Sequence, residues 1–298
     1  MMSSAQLGIL APVSRFSRFL FFDLASGHDQ AESLALIGDC AADEDLVLGL
    51  GLPLVAEGST VEGLTAFPAM AGAGVTVPST QSALWCWLRS ETDRGDLVLR
   101  THAIQQALSP ALQLQDIVEG FRHGGHDGGL GKDLTGYEDG TENPTGEEAI
   151  ETALVGADGG ALAGSSFVAV QKWVHNMAGY AALSRADADD IIGRRLDDNE
   201  EIEEAPESAH VKRTEQEGFE PEAFVVRRSS PWSSPEGEGL MFIAFGHSTD
   251  AYERQMRRMA GLDDGITDGL FKISTPVTGG YYWCPPVVDG RFSLQPLS

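Results

Sequence analysis

The chain has 298 residues, 42% of them hydrophobic and 8% aromatic, the profile of an ordinary folded protein long enough for about two domains. Its 45 Asp and Glu against 20 Lys and Arg give a formal net charge of -25, which repels nucleic acid and anionic lipid and excludes both as partners. Three cysteines, Cys40, Cys86 and Cys284, form no paired spacing, so neither a disulfide framework nor a zinc cluster is expected, only free thiols in a reducing compartment. The first 22 residues carry Arg15 and Arg18 inside the apolar region and no export pattern, and no stretch is long and apolar enough to span a membrane. A cytoplasmic protein is the expectation.

In chain order, 16–24 is rich in aromatic strand formers and reads as a strand, followed by an amphipathic helix over 28–37 and a strand over 46–50. The Gly- and Pro-rich passage 51–79 reads as an irregular excursion. Residues 83–88 are apolar on both faces, a strand buried on two sides; Leu97, Ile104 and Leu108 mark a helix stopped by Pro110; 112–121 is a further strand. After the middle of the chain the order returns. A strand over 167–174, a helix over 176–192, strands over 223–228 and 240–245, a helix over 250–260 and a short strand over 270–274 are expected. Two halves each ordered βαββαβ imply an α+β protein with a duplicated ferredoxin-like fold, its antiparallel sheets carrying helices on one face. The expected division is an N-terminal half over 1–135, a loop and connection over 136–164, and a C-terminal half over 165–298.

Between the halves lies Gly136-Tyr137-Glu138-Asp139-Gly140-Thr141-Glu142-Asn143-Pro144, a turn that presents Asp139. It is not an EF-hand, because Pro144 takes the position that requires glycine, and the preceding Gly128–Asp133 run lacks the residues of a phosphate loop. His123, His126 and Asp127 read as a surface loop rather than a metal site. His28, His102, His175 and His247 each read as a hydrogen-bonded or solvated side chain. His210 differs, lying between an acid-rich segment and Arg227 at a strand end. A histidine, an arginine and a turn-held aspartate are the residue types a haem peroxidase needs, for an axial imidazole, a cation and a proton carrier. Type and number alone leave that assignment open.

The loop resembles the GxxDG motif of the dye-decolorizing peroxidases, and the stretches 170–175, 192–195, 208–210, 227–231, 263–268 and 276–282 follow in that family's order. The resemblance covers nearly the whole chain and is similar to the bacterial B-type branch. It implies one haem b per chain, held mainly by the C-terminal half, with His210 as the iron ligand. It also implies Asp139 and Arg227 on the peroxide side with Gly140 beside them, Arg194 toward a haem carboxylate, and Asp268 accepting the second ring N–H of His210. Hydrogen peroxide and a dye, phenol or similar one-electron donor are the implied substrates, and a homo-oligomer, dimer or higher, the implied assembly. Ser229, where some relatives carry asparagine, and Trp232, where Tyr or Phe is commoner, depart from the pattern and are expected to alter distal water order or electron exit. Trp173, Trp232, Tyr281, Tyr282 and Trp283 are candidate exit residues, with core packing as the alternative. An aspartate base with an ordinary pKa of about 3.9 would stay ionised into mild acid, so an acidic optimum is expected. Two other functions stay open at this point: a haem-handling protein in which peroxidation is incidental, and an interaction module without haem.

Overall fold

The computed structural model describes residues 4–55, 61–72, 74–125 and 130–297. His126 and Asp127 lie outside these residues. The N-terminal elements are β1 (Phe16–Leu24), α1 (Gln30–Asp39), β2 (Leu46–Gly51), a small hairpin of β3 (Met70–Gly72) and β4 (Val75–Val77), β5 (Leu84–Ser90), α2 (Arg94–Leu108) and β6 (Leu112–Phe121). Then come α3 (Gly146–Ala153), β7 (Ser166–His175), α4 (Met177–Ala181), α5 (Arg185–Ile192), α6 (His210–Arg213), β8 (Val226–Arg227), β9 (Ser230–Ser234), β10 (Gly237–Gly246) and α7 (Asp250–Met259). The chain closes with β11 (Ser274–Pro276), β12 (Gly280–Cys284) and a last hairpin, β13 (Val287–Val288) and β14 (Arg291–Phe292). The helices begin where side chains can take up their free amides: Asp29 accepts from Glu32 N at 2.9 Å and Asp93 from Gly95 N at 2.7 Å.

Ten strands form one antiparallel sheet in the order β11-β7-β12-β2-β5-β1-β6-β9-β10-β8. Because β10 also pairs with β7 along its length, from Gly239 opposite Val174 to Gly246 opposite Phe167, the sheet closes on itself. The closure brings β12, from the end of the chain, between β7 and β2. Alternation along each strand then divides the core in two. Phe19, Trp85, Trp87, Val168, Val170, Met241, Ile243, Phe245 and Tyr282 point inward and fill the space the strands enclose. Leu20, Phe22, Leu48, Leu84, Trp173, Ala244 and Trp283 point outward, into a second core shared with Ile37 of α1, Leu97 and Leu108 of α2, and Tyr252, Met256 and Met259 of α7. Helices α1, α2 and α7 therefore cover the outer face, while Ala149 and Ala153 of α3 pack against the enclosed core.

Three expected elements differ. The helix expected over 176–192 is two, because Ser184 Oγ accepts from Asp187 N at 3.1 Å and starts α5 afresh. The strand expected over 223–228 shrinks to Val226–Arg227, since Val225 N–H is taken by Gln216 Oε1 at 3.0 Å and Arg227 N–H by Asn143 Oδ1 at 2.8 Å. The last strand expected over 270–274 is a 3-10 turn over Gly269–Lys272, started by Asp268 Oδ1 accepting from Leu270 N at 2.8 Å; pairing resumes at β11 and β12. The described residues of 51–79 include a short 3-10 turn over Leu52–Leu54 and the β3–β4 hairpin in addition to irregular chain.

Cys86 and Cys284 are buried and Cys40 is partly so, all three as free thiols. Among the described residues no helix is long and apolar enough to cross a membrane. Packing between the strands sets the stability of the enclosed core. Ile243→Ala, at a fully buried position, is expected to lower the free energy of unfolding by about 2–5 kcal/mol. Ile150→Ala, on the exposed side of α3, is expected to change it by no more than about 0.5 kcal/mol. Urea unfolding followed by circular dichroism compares the two.

Candidate active site

The outer face of β7 and β10 forms one wall of a cavity of about 540 Å³, within the size range of small-molecule and cofactor sites. Gln171, Trp173 and His175 of β7 and Leu240 and Phe242 of β10 contribute that wall; Tyr252, Met256 and Met259 of α7 and Leu270 add apolar surface. Asp139, Gly140, Arg194, His210 and Arg227 all line the same cavity. Residues 71 or more positions apart in sequence, such as Asp139 and His210, thus share one space.

Asp139 is held by a loop that makes few bonds of its own kind and many to its surroundings. Its amide donates to Gly131 O at 2.9 Å, Asp133 N donates to Tyr137 O at 2.9 Å, and Gly136 N donates to Asp133 O at 2.9 Å. Gly136 and Gly140 have φ of 93° and 86°, the left-handed region, and a Cβ on Gly140 would stand 2.9 Å from Asn143 Nδ2. That atom is in use. Asn143 Nδ2 donates to Arg227 O at 3.0 Å while Asn143 Oδ1 accepts from Arg227 N at 2.8 Å, so the side-chain amide pairs with the Arg227 backbone as a neighbouring strand would. Tyr137 Oη donates to Asp189 Oδ1 at 2.5 Å, and Asn199 Nδ2 donates to Glu138 Oε2 at 3.0 Å and Thr141 Oγ1 at 2.9 Å. The loop and the arginine strand form one unit.

Within it Arg227 Nε lies 3.9 Å from Asp139 Oδ1, a charge contact too long for a hydrogen bond. Loss of water around the carboxyl raises the Asp139 pKa above its ordinary value; Arg227 and, less strongly, His210 oppose that rise, and Asp133 adds to it. The base form is therefore lost at less acidic pH than for a free aspartate, which narrows the mildly acidic range expected from the sequence.

His210 opens α6. Thr214 Oγ1 donates to His210 O at 2.8 Å, and Arg213, buried beneath, forms a double bond of hydrogen bonds to Asp264 at 2.7 and 2.8 Å and donates to Arg258 O at 2.6 Å. His210 Nδ1 stands 2.8 Å from Asp268 Oδ2, and the Asp268 side chain is fully buried. A carboxylate at Nδ1 places the ring proton there and leaves the Nε2 lone pair available to a metal.

Arg194 reaches the cavity wall with its guanidinium on Glu142 Oε1 at 2.6 Å, Glu201 Oε2 at 3.2 Å and Asn199 O at 3.0 Å. Ser229 and Trp232 are absent from the described lining. The Ser229 hydroxyl accepts from Ile243 N at 3.4 Å, and Trp232 packs in the enclosed core, donating to Trp173 O at 3.0 Å with Lys172 Nζ 4.2 Å above its ring. Trp173, Trp232, Tyr281, Tyr282 and Trp283 are all buried, at most 4% exposed; Trp173 also lines the cavity, while the other four pack in the core. His28 bonds exposed Glu32, and His175 is buried between two partners, as hydrogen-bonded side chains should be.

Sequence reasoning missed Gln171, His175, Tyr252 and Asn143. Gln171 Oε1 accepts from Tyr252 Oη at 2.5 Å and Trp173 Nε1 at 3.1 Å, which fixes the amide orientation, and its Nε2 is buried at the cavity wall without a partner among the described residues. A metal centre of three or more His, Cys, Asp or Glu is absent among the described residues. A single free imidazole nitrogen, apolar walls and an unmatched buried donor fit a large, mostly apolar group with polar substituents and one metal coordination site, as haem is.

The family described as Dyp-type peroxidase, C-terminal, matches residues 131–289, which contain Asp139, His210, Arg227 and Asp268. A dye-decolorizing peroxidase of Mycobacterium tuberculosis (strain ATCC 25618 / H37Rv) is 34% identical over 74% of this chain and 66% of its own length, so this chain spans just under two thirds of that relative. A dye-decolorizing peroxidase of Brevibacterium linens is 31% identical over 93% of this chain and 79% of its own. Among solved structures, a DypB variant from Rhodococcus jostii RHA1 in complex with heme aligns with a TM-score of 0.81 at 28% identity, covering 94% of this chain and 97% of that one. With more than half of its residues matched by the family and relatives alike across nearly its whole length, the chain belongs to the dye-decolorizing peroxidases.

Proposed function

We propose that the protein is a haem-dependent peroxidase that reduces hydrogen peroxide and oxidises dyes, phenols or similar one-electron donors. The observation that carries this reading is the convergence on one cavity of His210, its second nitrogen tied to buried Asp268, with the Asp139–Arg227 pair. Haem bound there supplies the two-electron reduction of peroxide to water and the subsequent one-electron oxidation of two donor molecules.

His210 would hold the iron through Nε2, and Asp268 holds the ring in the tautomer that leaves this nitrogen free while increasing its electron donation. Arg227 supplies a fixed positive charge beside Asp139, suited to charge that develops as an O–O bond breaks. Asp139, as the carboxylate, takes a proton from one peroxide oxygen and returns it to the other. Gly140 lets the backbone turn closely at that point, and Arg194 is available to a haem carboxylate from the cavity wall, in exchange for Glu142 or Glu201. The apolar surface of Trp173, Phe242, Met256 and Met259 would exclude water from the group held in the cavity. The 165–298 segment would contribute most of these contacts. A homo-oligomer and a cytoplasmic setting complete the reading.

An absorption spectrum of protein made with a haem supply tests the cofactor assignment: a Soret band is expected, lost or displaced in His210→Ala, and a wild-type protein without one overturns the reading. Asp139→Asn and Arg227→Ala are expected to slow peroxide consumption by about 100-fold or more in stopped-flow mixing, since each removes a group acting on the breaking bond. Rates equal to wild type in both would rule out these roles. The sign of the pH dependence follows from the carboxyl. As pH falls through the raised Asp139 pKa the base is protonated, so the peroxide step weakens on the acid side, from a pH above the ordinary aspartate range. Asp139→Asn should flatten that limb, and a profile of unchanged shape in the variant would count against the assignment.

A further inference from the structure

His175 is the least accounted-for polar group in the cavity wall. It is the last residue of β7, 8% exposed, on the outer face that Gln171 and Trp173 share. Its two ring nitrogens are both engaged: Nε2 lies 2.9 Å from Asp133 Oδ2 and Nδ1 lies 2.8 Å from Ser274 Oγ. A neutral ring satisfies both by donating from Nε2 to the carboxylate and accepting the serine hydroxyl proton at Nδ1, and a cationic ring donates twice.

The two partners belong to opposite parts of the site. Asp133 is the root of the Asp139 loop: its amide donates to Tyr137 O, its carbonyl accepts from Gly136 N, and its other carboxylate oxygen accepts from Thr135 Oγ1 at 3.3 Å. Asp139 hangs from the same short ladder through its bond to Gly131 O. Ser274 faces His175 across the β7–β11 pair and directly follows the turn that Asp268 starts, and Asn176 N donates to Ile273 O at 2.8 Å beside it. One imidazole thus joins the base of the loop that carries Asp139 to the segment that carries the His210 partner.

We propose that His175 is a positioning residue for the peroxide step: by holding Asp133 against β7 and Ser274 at once, it fixes where the loop presents Asp139 relative to Arg227 and His210. This rests on the role given to Asp139 above. His175 itself makes no contact with the reacting atoms in this reading. The alternative, a merely structural bond, predicts lower stability and nothing specific to Asp139. The titratable and charged groups that act on Asp139 are Arg227 from β8, His210 from α6 and Asp133 from its own loop.

The test uses the haem-loaded protein. His175→Phe keeps the bulk and removes both nitrogens; His175→Gln keeps a donor able to reach Asp133. In His175→Phe the peroxide step is expected to slow by about 10- to 100-fold, the midpoint of its acid limb to move, and hydrogen exchange over 131–144 to rise, with the Soret band unchanged. His175→Gln is expected to recover most of the rate and the wild-type midpoint. A His175→Phe protein with the wild-type rate and midpoint overturns the proposal, as does one slowed without any change in midpoint or loop exchange, or a His175→Gln protein no better than the phenylalanine variant. Should His175→Phe fail to load haem, Asp133→Asn, which leaves the ring in place, is expected to show the same slower rate and moved midpoint, and wild-type behaviour there overturns the proposal. If the wild-type protein neither binds haem nor consumes peroxide, the functional reading fails instead, and the two failures are told apart.

Discussion

The buried carboxylate of Asp268 is the constraint on which the rest of the site depends. A carboxylate removed from water needs hydrogen-bond donors on both oxygens, and here they are Leu270 N–H and the Nδ1 edge of His210. The first bond turns the chain after Asp268 into a 3-10 segment in place of a strand; the second selects the histidine tautomer. A single buried group therefore sets local backbone and ligand chemistry together. Its own backbone is fastened by Asp268 N to Met259 O at 2.8 Å and Gly269 N to Ser208 O at 2.6 Å, which ties the pair to α7 and to the start of α6.

The sheet makes such a site possible by having two faces with different tasks. Along β7 the even residues Val168 and Val170 pack into the enclosed core while the odd residues Gln171, Trp173 and His175 line the cavity. Closure through the β7–β10 pair makes this wall double-sided and rigid, because a shift by one residue would exchange core for cavity along the whole strand. The interleaving of β12 between β7 and β2 has the same effect on the far side, so that neither half of the chain can move its strands independently.

Much of the fold could be read in the residues. The strands over 16–24 and 112–121 and the helices ending at Leu108 and near Met259 stand where aromatic richness, alternation and helical spacing put them. Reading failed where side chains took the place of backbone partners. Asn143 and Gln216 occupy amides that the apolar run 223–228 would otherwise give to a strand, and Asp268 does the same for 270–274. Asn143 and Arg227 are 84 positions apart, and no local pattern announces that pairing. Asp139, His210, Arg227, Arg194 and Asp268 were nameable through resemblance; the first four line one cavity, and Asp268 is bonded to His210 from behind it. Gln171 and His175 were not, although alternation with Trp173 along one strand was the available signal that they share a face.

The two sides of the site are held by different physics. Around His210 the fastenings are charge-assisted, Arg213 with Asp264 and the ring with Asp268, which are strong and directional and hold the imidazole in one orientation. Around Asp139 the fastenings are amide to backbone and phenol to carboxylate, while Asp139 and Arg227 themselves are left 3.9 Å apart. Had they closed into a bidentate ion pair, each would have satisfied the other, and a molecule entering between them would have had to break that bond. Held apart by Asn143 and by the loop, they keep their hydrogen-bonding capacity for a third party. Desolvation then raises the free energy of the unpaired carboxylate, which makes it a better proton acceptor than a solvated aspartate. A rigid frame thus keeps two opposite charges just out of contact, with burial holding the carboxyl above the ordinary aspartate pKa.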